Sequence, residues 1–247
     1  MSRILLLGGT GDARRLAARL SDWPVIASLA GATTDPAAYA CKTRLGGFGG
    51  AEAMADWLRA NKIAAIIDAT HPYATTISAN AVSASRETQT PLIRVDRPPW
   101  RPEPGETWID VASAEEAAGA LPSGTRAFLA TGRTTQAAFT ARGDVWIALR
   151  TVDPQGEFPG NGAYIAARPP FEVEDEVRLF TELGITHLVV KNAGGTAART
   201  KLTAASRLGL PIVIIARPSE DDIADLAPPH QIEDWLRKVC PTDMRVQ

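Results

Sequence analysis

The stretch Ile4-Leu5-Leu6-Leu7-Gly8-Gly9-Thr10-Gly11-Asp12-Ala13-Arg14 decides the fold. Apolar residues in an unbroken run, with no polar alternation, suit a strand covered on both faces. Glycines end the run, and Asp12–Leu20 follows as a helix with Leu16 and Leu20 on one face. Strand, glycine turn and helix in that order form the setting of a dinucleotide-binding loop. Glycine lets the backbone approach a pyrophosphate, and the free N–H groups and dipole of the helix attract its charge. Gly9 and Gly11 supply a G-x-G, with Arg14 in the third glycine's place; Gly8-x-x-Gly11 is the other register. Gly8, Gly9, Thr10, Gly11, Asp12, Ala13 and Arg14 are therefore the expected cofactor loop, against the plainer reading of a tight turn with no ligand.

Outward from this stretch the same rhythm continues. Expected strands are Val25–Leu29, Ile63–Asp68 and Leu92–Val95, and expected helices are Ala51–Ala60 and Thr75–Glu87. The proline-rich Arg97–Gly105 breaks the pattern and is expected to be a connector. A short strand, Trp108–Val111, and a helix, Ser113–Leu121, follow; Ser113 caps the helix, with Glu116 at its third position. Then Ala127–Ala130, Val145–Leu149, His187–Val190 and Ile212–Ile215 are expected strands, and Phe171–Leu183 is a helix ending at Gly184. Leu129-Ala-Thr-Gly-Arg-Thr134 repeats the strand–glycine–helix plan of the opening. The expected fold is α/β, with two Rossmann-like domains of mainly parallel sheets and an active site in the cleft between them. Residues 1–121 would bind the cofactor and include the connector; residues 122–247 would bind the substrate. A single large sheet is the alternative.

Composition narrows the function. The 247 residues are 45% hydrophobic and 22% charged with a net charge of -2, as in a globular protein and not a disordered one. No basic excess points to nucleic acid. Only two cysteines and three scattered histidines occur, so neither a metal site nor a disulfide framework is expected. Met1-Ser2-Arg3 leads into too short an apolar run for a signal peptide, and no window is long enough for a membrane span. A cytoplasmic protein, monomeric or a small homo-oligomer, is expected.

The cofactor type follows from an acid that is missing. An NAD site has Asp or Glu about 20 residues beyond the loop. Here the second strand runs into Ser28-Leu-Ala-Gly-Ala-Thr33-Thr34, and Asp35 lies beyond it. Ser28 and Thr33 with a nearby cation, Arg14, Lys42 or Arg44, suit the 2′-phosphate of NADPH. Of these, Ser28, Thr33 and Arg44 join the expected cofactor site, together with Thr70.

Further motifs mark expected strand ends. Asp68-Ala-Thr-His-Pro-Tyr-Ala74 follows the third expected strand and places His71 and Tyr73 as candidates to deliver or orient a proton. Arg94-x-x-Arg97-Pro-x-Trp100 offers Arg97 to a carboxylate and Trp100 to a flat ligand. In the second half, Thr131-Gly132-Arg133 and Lys191-Asn192-Ala193-Gly194-Gly195, with Lys201 beyond, would form a cationic wall if adjacent. The acidic run Glu172–Glu176 suits a helix's first turn and needs no ligand. No Tyr-x-x-x-Lys pair of short-chain reductases occurs, because Tyr39, Tyr73 and Tyr164 are followed four residues later by Thr43, Ile77 and Arg168.

Taken together, GGTGDAR, DATHPYA, RxxRPPW, TGR and the late KNAGG…K with LGLPIVIIARP resemble the precorrin-6A reductase family of cobalamin biosynthesis, in order and over nearly the whole chain. The resemblance implies an oxidoreductase that uses NADPH to reduce the precorrin-6A macrocycle to precorrin-6B. It departs from the family's frequent KNSGG at Ala193. A polycarboxylate tetrapyrrole would suit Arg97, Thr131, Gly132, Arg133, Lys191, Asn192, Gly194, Gly195 and Lys201 as its contacts. The cobalt-containing substrate and a non-catalytic NADP sensor are the alternatives.

Overall fold

The computed structural model describes residues 2–31, 37–154, 156–196, 198–218, 225–240 and 244. Its opening strand β1 (Arg3–Leu7) shows why an apolar run becomes a central strand. Successive side chains point to opposite faces. Ile4 and Leu6 pack with Ala13, Leu16 and Ala17 of α1 (Gly11–Arg19). Leu5 and Leu7 pack instead with Met54, Ala55 and Leu58 of α2 (Ala51–Ala60) and with Ala81, Val82 and Ala84 of α3 (Thr75–Thr88). Both faces are covered, so no polar position interrupts the strand.

β1 pairs in parallel with β2 (Val25–Leu29) on one side and β4 (Ile63–Asp68) on the other. β3 (Lys42–Leu45) extends the β2 side, and β5 (Leu92–Val95) followed by β12 (Leu226–Ala227) extends the other. The order β3-β2-β1-β4-β5-β12, parallel throughout, is that of a dinucleotide-binding sheet.

The second sheet repeats this plan. Its strands are β6 (Trp108–Val111), β7 (Arg126–Ala130), β8 (Trp146–Thr151), β9 (Gly162–Ala166), β10 (His187–Lys191) and β11 (Ile212–Ile215). They lie in the order β9-β8-β7-β10-β11-β6, again all parallel. Phe128, Leu188, Val190, Ile212 and Ile214 share a core with Phe180 of α6 (Val173–Glu182) and Leu202, Ala204 and Ala205 of α7 (Thr200–Arg207). α4 (Ala114–Gly119) begins as expected, with the Glu116 amide donating to the Ser113 hydroxyl at 3.1 Å. α5 (Gln136–Thr140) follows the turn after β7.

Two Rossmann-like units are thus present, but the expected boundary after residue 121 is corrected. One unit comprises residues 1–97 and 218–247, the other 98–217. The physical reason is edge closure. β6 pairs with β11, and β12 pairs with β5, so each sheet's sixth strand covers an edge that would otherwise carry unpaired N–H and C=O groups. α8 (Ile232–Val239) accompanies β12 and buries Ile232 and Leu236 in the first unit's core. β3 and β9 are strands the hydrophobic pattern missed. β3 is a largely exposed edge strand with no apolar alternation. β9 begins at Gly162, where any Cβ would stand 2.1 Å from the Ile147 carbonyl oxygen, so the glycine marks a close backbone approach within a strand.

Candidate active site

In a doubly wound sheet, ligands bind beyond the carboxyl ends of the two strands where the order reverses. In the first unit these are β1 and β4. Gly9 adopts φ +101°, a conformation open to glycine, and turns the chain from β1 into α1. Thr10 caps the helix: its hydroxyl accepts from the Ala13 amide at 3.1 Å and donates to the Ala69 carbonyl at 2.8 Å. One side chain therefore ties the loop after β1 to the loop after β4. Within the first helical turn, the Ala13 amide is taken by the Thr10 hydroxyl and the Arg14 amide by the Thr10 carbonyl at 3.2 Å. Asp12 is ion-paired with Arg15 and, at 2.7 Å, with Arg97, which offsets the carboxylate at the start of α1.

At the end of β2, Ser28 lies opposite Arg44 of β3. The Arg44 guanidinium donates to the Ser28 hydroxyl at 2.7 Å and to the carbonyls of Gly46 and Gly47, each at 3.0 Å. It lies over the Phe48 ring at 4.0 Å from the centroid. Burial lowers its pKa from the ordinary value, and an arginine stays charged all the same. The expected hydroxyl and cation are thus brought together. Thr33, the other expected hydroxyl, lies outside the described residues.

Beyond β4, Asp68 is buried and its carboxylate is fully engaged. One oxygen accepts from the Thr70 amide at 3.0 Å and hydroxyl at 2.6 Å; the other accepts from Ser78 at 2.6 Å and faces Arg94 at 3.8 Å. This network holds the turn that presents His71 and Tyr73. Their rings lie 5.5 Å apart, and the Tyr73 amide donates to His71 Nδ1 at 3.3 Å. Both residues stand at the reversal point with the glycine loop. Thr70 was expected to face the cofactor, but its hydroxyl turns inward to Asp68.

The second unit's reversal point lies between β7 and β10, and it joins the two expected turns. Lys191 Nζ donates to the Thr134 hydroxyl at 3.2 Å. Thr131 is buried and accepts from Thr135 at 2.7 Å; Gly132 has φ 76°, and Arg133 is exposed. Burial lowers the pKa of Lys191. Gly194 and Gly195, both at positive φ, continue the loop.

Three of the expected side chains in this unit have partners within the protein. Asn192 uses both ends of its amide on the connector: Oδ1 accepts from the Trp100 amide at 2.8 Å, and Nδ2 donates to the Trp100 carbonyl at 3.1 Å. Trp100 is buried, with its indole donating to the Gly195 carbonyl at 2.7 Å, so it anchors the connector and does not offer a face to a flat ligand. The guanidinium of Arg217 holds the Asn192 and Ala193 carbonyls at 2.8 and 3.0 Å. Lys201, on the first turn of α7, donates to the Ala198 carbonyl and lies 5.1 Å from the Trp100 ring centroid. Burial pulls its pKa down to about 8, Glu176 opposing this. In the first unit, likewise, Arg97 pairs with Asp12 beside the glycine turn.

Sequence reasoning missed Tyr39, whose hydroxyl accepts from the Gly9 amide at 2.9 Å. It missed Ser78 and the Asp68 network, since a hydroxyl inside a helix carries no motif. It also read Glu176 only as a dipole partner. Glu176 is buried in a two-pronged pair with Arg150.

These features describe a glycine turn between strand and helix without naming a ligand or substrate; the comparison with known proteins supplies the family. Residues 3–237 match the model of the precorrin-6x reductase CbiJ/CobK family. The chain belongs to this family. It is 45% identical over 223 residues to the precorrin-6A reductase of Rhodococcus erythropolis, covering 88% of this chain and 90% of that protein. It is 33% identical over 237 residues to the cobalt-precorrin-6A reductase of Priestia megaterium, covering 87% and 90%. The solved structure of a CobK precorrin-6A reductase superposes with a TM-score of 0.93 at 40% identity, covering 98% of both chains. Membership of the precorrin-6x reductase family makes the protein an oxidoreductase of corrin-ring synthesis. No helix among the described residues is long and apolar enough to cross a membrane, and no group of three or more metal-ligating side chains occurs among them.

Proposed function

We propose that the protein reduces precorrin-6A to precorrin-6B with NADPH. Family membership supports the substrate, and the Ser28–Arg44 pair at the end of β2 carries the choice of cofactor. A guanidinium already held beside a hydroxyl suits a 2′-phosphate better than a bare ribose diol. The glycine turn fits an anion on an observation of its own: the Gly9 amide already meets a polar acceptor, the Tyr39 hydroxyl, at 2.9 Å, and a Cβ on Gly8 would be crowded by that hydroxyl at 2.9 Å and by Leu29 Cδ2 at 3.0 Å. Gly8, Gly9, Thr10, Gly11 and the first turn of α1 through Arg14 would hold the phosphates.

NADPH, when bound, supplies a hydride; the macrocycle gains that hydride and one proton. The protein's part is placement and field. His71 and Tyr73, on the turn braced by Asp68, would border the reacting edge and hold or deliver the proton. Arg133 and Lys191 would receive carboxylate arms of the macrocycle, with Thr131, Gly132, Gly194 and Gly195 shaping the backbone around them. The higher identity to a relative named for precorrin-6A than to one named for its cobalt form favours the metal-free substrate.

Single-turnover assays with NADPH deuterated on either face of C4 test this reading. Deuterium should appear in the tetrapyrrole product from one label only, with NADPH preferred to NADH and precorrin-6A to its cobalt complex. NADPH binding without deuterium transfer to either macrocycle would favour the non-catalytic sensor.

A further inference from the structure

Tyr39 stands where the cofactor loop should meet an anion. Its hydroxyl accepts the Gly9 amide at 2.9 Å and lies 3.5 Å from the Thr10 carbonyl. It also packs close against Gly8, where an added Cβ would stand 2.9 Å from it. Arg14 bears electrostatically on the same phenol, and burial raises its pKa against the lowering effects of Gly9 and Arg14. The residue is only half-buried, packed at the margin of the first unit's core.

The Gly9 amide carries one hydrogen. It cannot serve Tyr39 and a phosphate oxygen with full strength together. Bonds to a charged acceptor are roughly twice as strong as neutral ones. We propose that Tyr39 is a displaceable occupant of the pyrophosphate position, so that dinucleotide binding and release of the Tyr39 hydroxyl from the glycine loop are a single event. This proposal rests on the dinucleotide reading above and adds a residue that sets cofactor affinity. Tyr39 keeps the loop's backbone polar group satisfied, and it lowers cofactor affinity by the worth of the contact it must give up. It is a positioning residue and takes no part in the chemistry.

Tyr39→Phe tests the proposal with almost no change of shape. One neutral hydrogen bond is worth about 0.5–1.5 kcal/mol, so calorimetric titration should show NADPH bound roughly two- to twelvefold more tightly by the variant. The wild-type protein supplies a second readout. With its three tyrosines replaced by 3-fluorotyrosine, the fluorine resonance absent from the variant should shift when NADPH or inorganic pyrophosphate is added. Weaker binding by Tyr39→Phe would make the hydroxyl a cofactor ligand and overturn displacement. Equal affinity, or a Tyr39 resonance unmoved by bound NADPH, would overturn it as well. Failure of both proteins to bind either probe would overturn the cofactor assignment itself, a result distinct from equal binding by both.

Discussion

If the Ser28–Arg44 pair sets a preference for NADPH, replacing Arg44 by alanine should leave a protein that barely distinguishes NADPH from NADH. The guanidinium is held by Ser28, Gly46 and Gly47 at 2.7, 3.0 and 3.0 Å and rests on the Phe48 ring. These contacts engage some of its N–H donors and leave others for a ligand. Because the fork is already immobilised, little side-chain entropy is lost when a phosphate arrives. A charge-assisted hydrogen bond is worth about 1.5–3 kcal/mol, so the NADPH dissociation constant should rise roughly tenfold to a hundredfold. Truncation also deprives the Gly46 and Gly47 carbonyls and the Phe48 face of their partner. That cost falls on both cofactors alike, so the ratio of NADPH to NADH affinity isolates the phosphate contact. Arg44→Lys keeps the charge without the fork and should lie between. The measurement is calorimetric titration of wild type and both variants with each cofactor. An affinity ratio unchanged within about twofold in Arg44→Ala would refute the assignment of the 2′-phosphate to this corner.

Other perturbations probe the remaining parts of the site. Glu176→Gln should cost about 3–5 kcal/mol in urea unfolding, because it leaves Arg150 charged and buried; replacing both partners by apolar residues should recover most of that loss. Arg97→Ala should weaken NADPH binding and leave the substrate's KM alone, since Arg97 offsets Asp12 beside the phosphate loop, whereas Arg133→Ala and Lys191→Ala should raise that KM roughly tenfold to a hundredfold. The reverse pattern would exchange their roles. His71→Asn and Tyr73→Phe should separate proton donation from positioning: a donor's loss costs about 10²–10⁴-fold in single-turnover rate, while losses under about tenfold with an unmoved pH profile leave water as the proton source. Lys201, with its pKa lowered from 10.5 to about 8 by burial, binds fewer protons folded than unfolded between those values. Stability should therefore rise with pH across that window, and Lys201→Met should flatten the rise; an identical pH dependence in the variant would place the lysine in solvent.

Some of this architecture was written locally in the chain. Ile4–Leu7 and Ile63–Ile67 announce central strands because burial on both faces demands apolar residues at every position, whatever lies around them. The turn at Gly8–Gly11 and the Ser113 cap are likewise local, since a positive φ or an N-terminal cap is satisfied within a few residues. DATHPYA and KNAGG could be placed at strand ends for the same reason, and they do lie at the reversal points of their sheets. What needed the tertiary structure was every choice of partner across long separations. Nothing in Leu226-Ala227 says that it will complete a sheet begun at β1; only the uncovered edge of β5 decides that. Asn192 looked like a ligand residue because amides serve ligands and backbones equally well, and the nearness of Trp100 commits it to the backbone. Tyr39 carried no signal at all, for a tyrosine beside an edge strand is ordinary until folding sets its hydroxyl on the amide of Gly9. Patterns of burial and turn geometry are short-range and survive in the sequence, whereas hydrogen bonds between distant residues exist only once the sheets have brought them together.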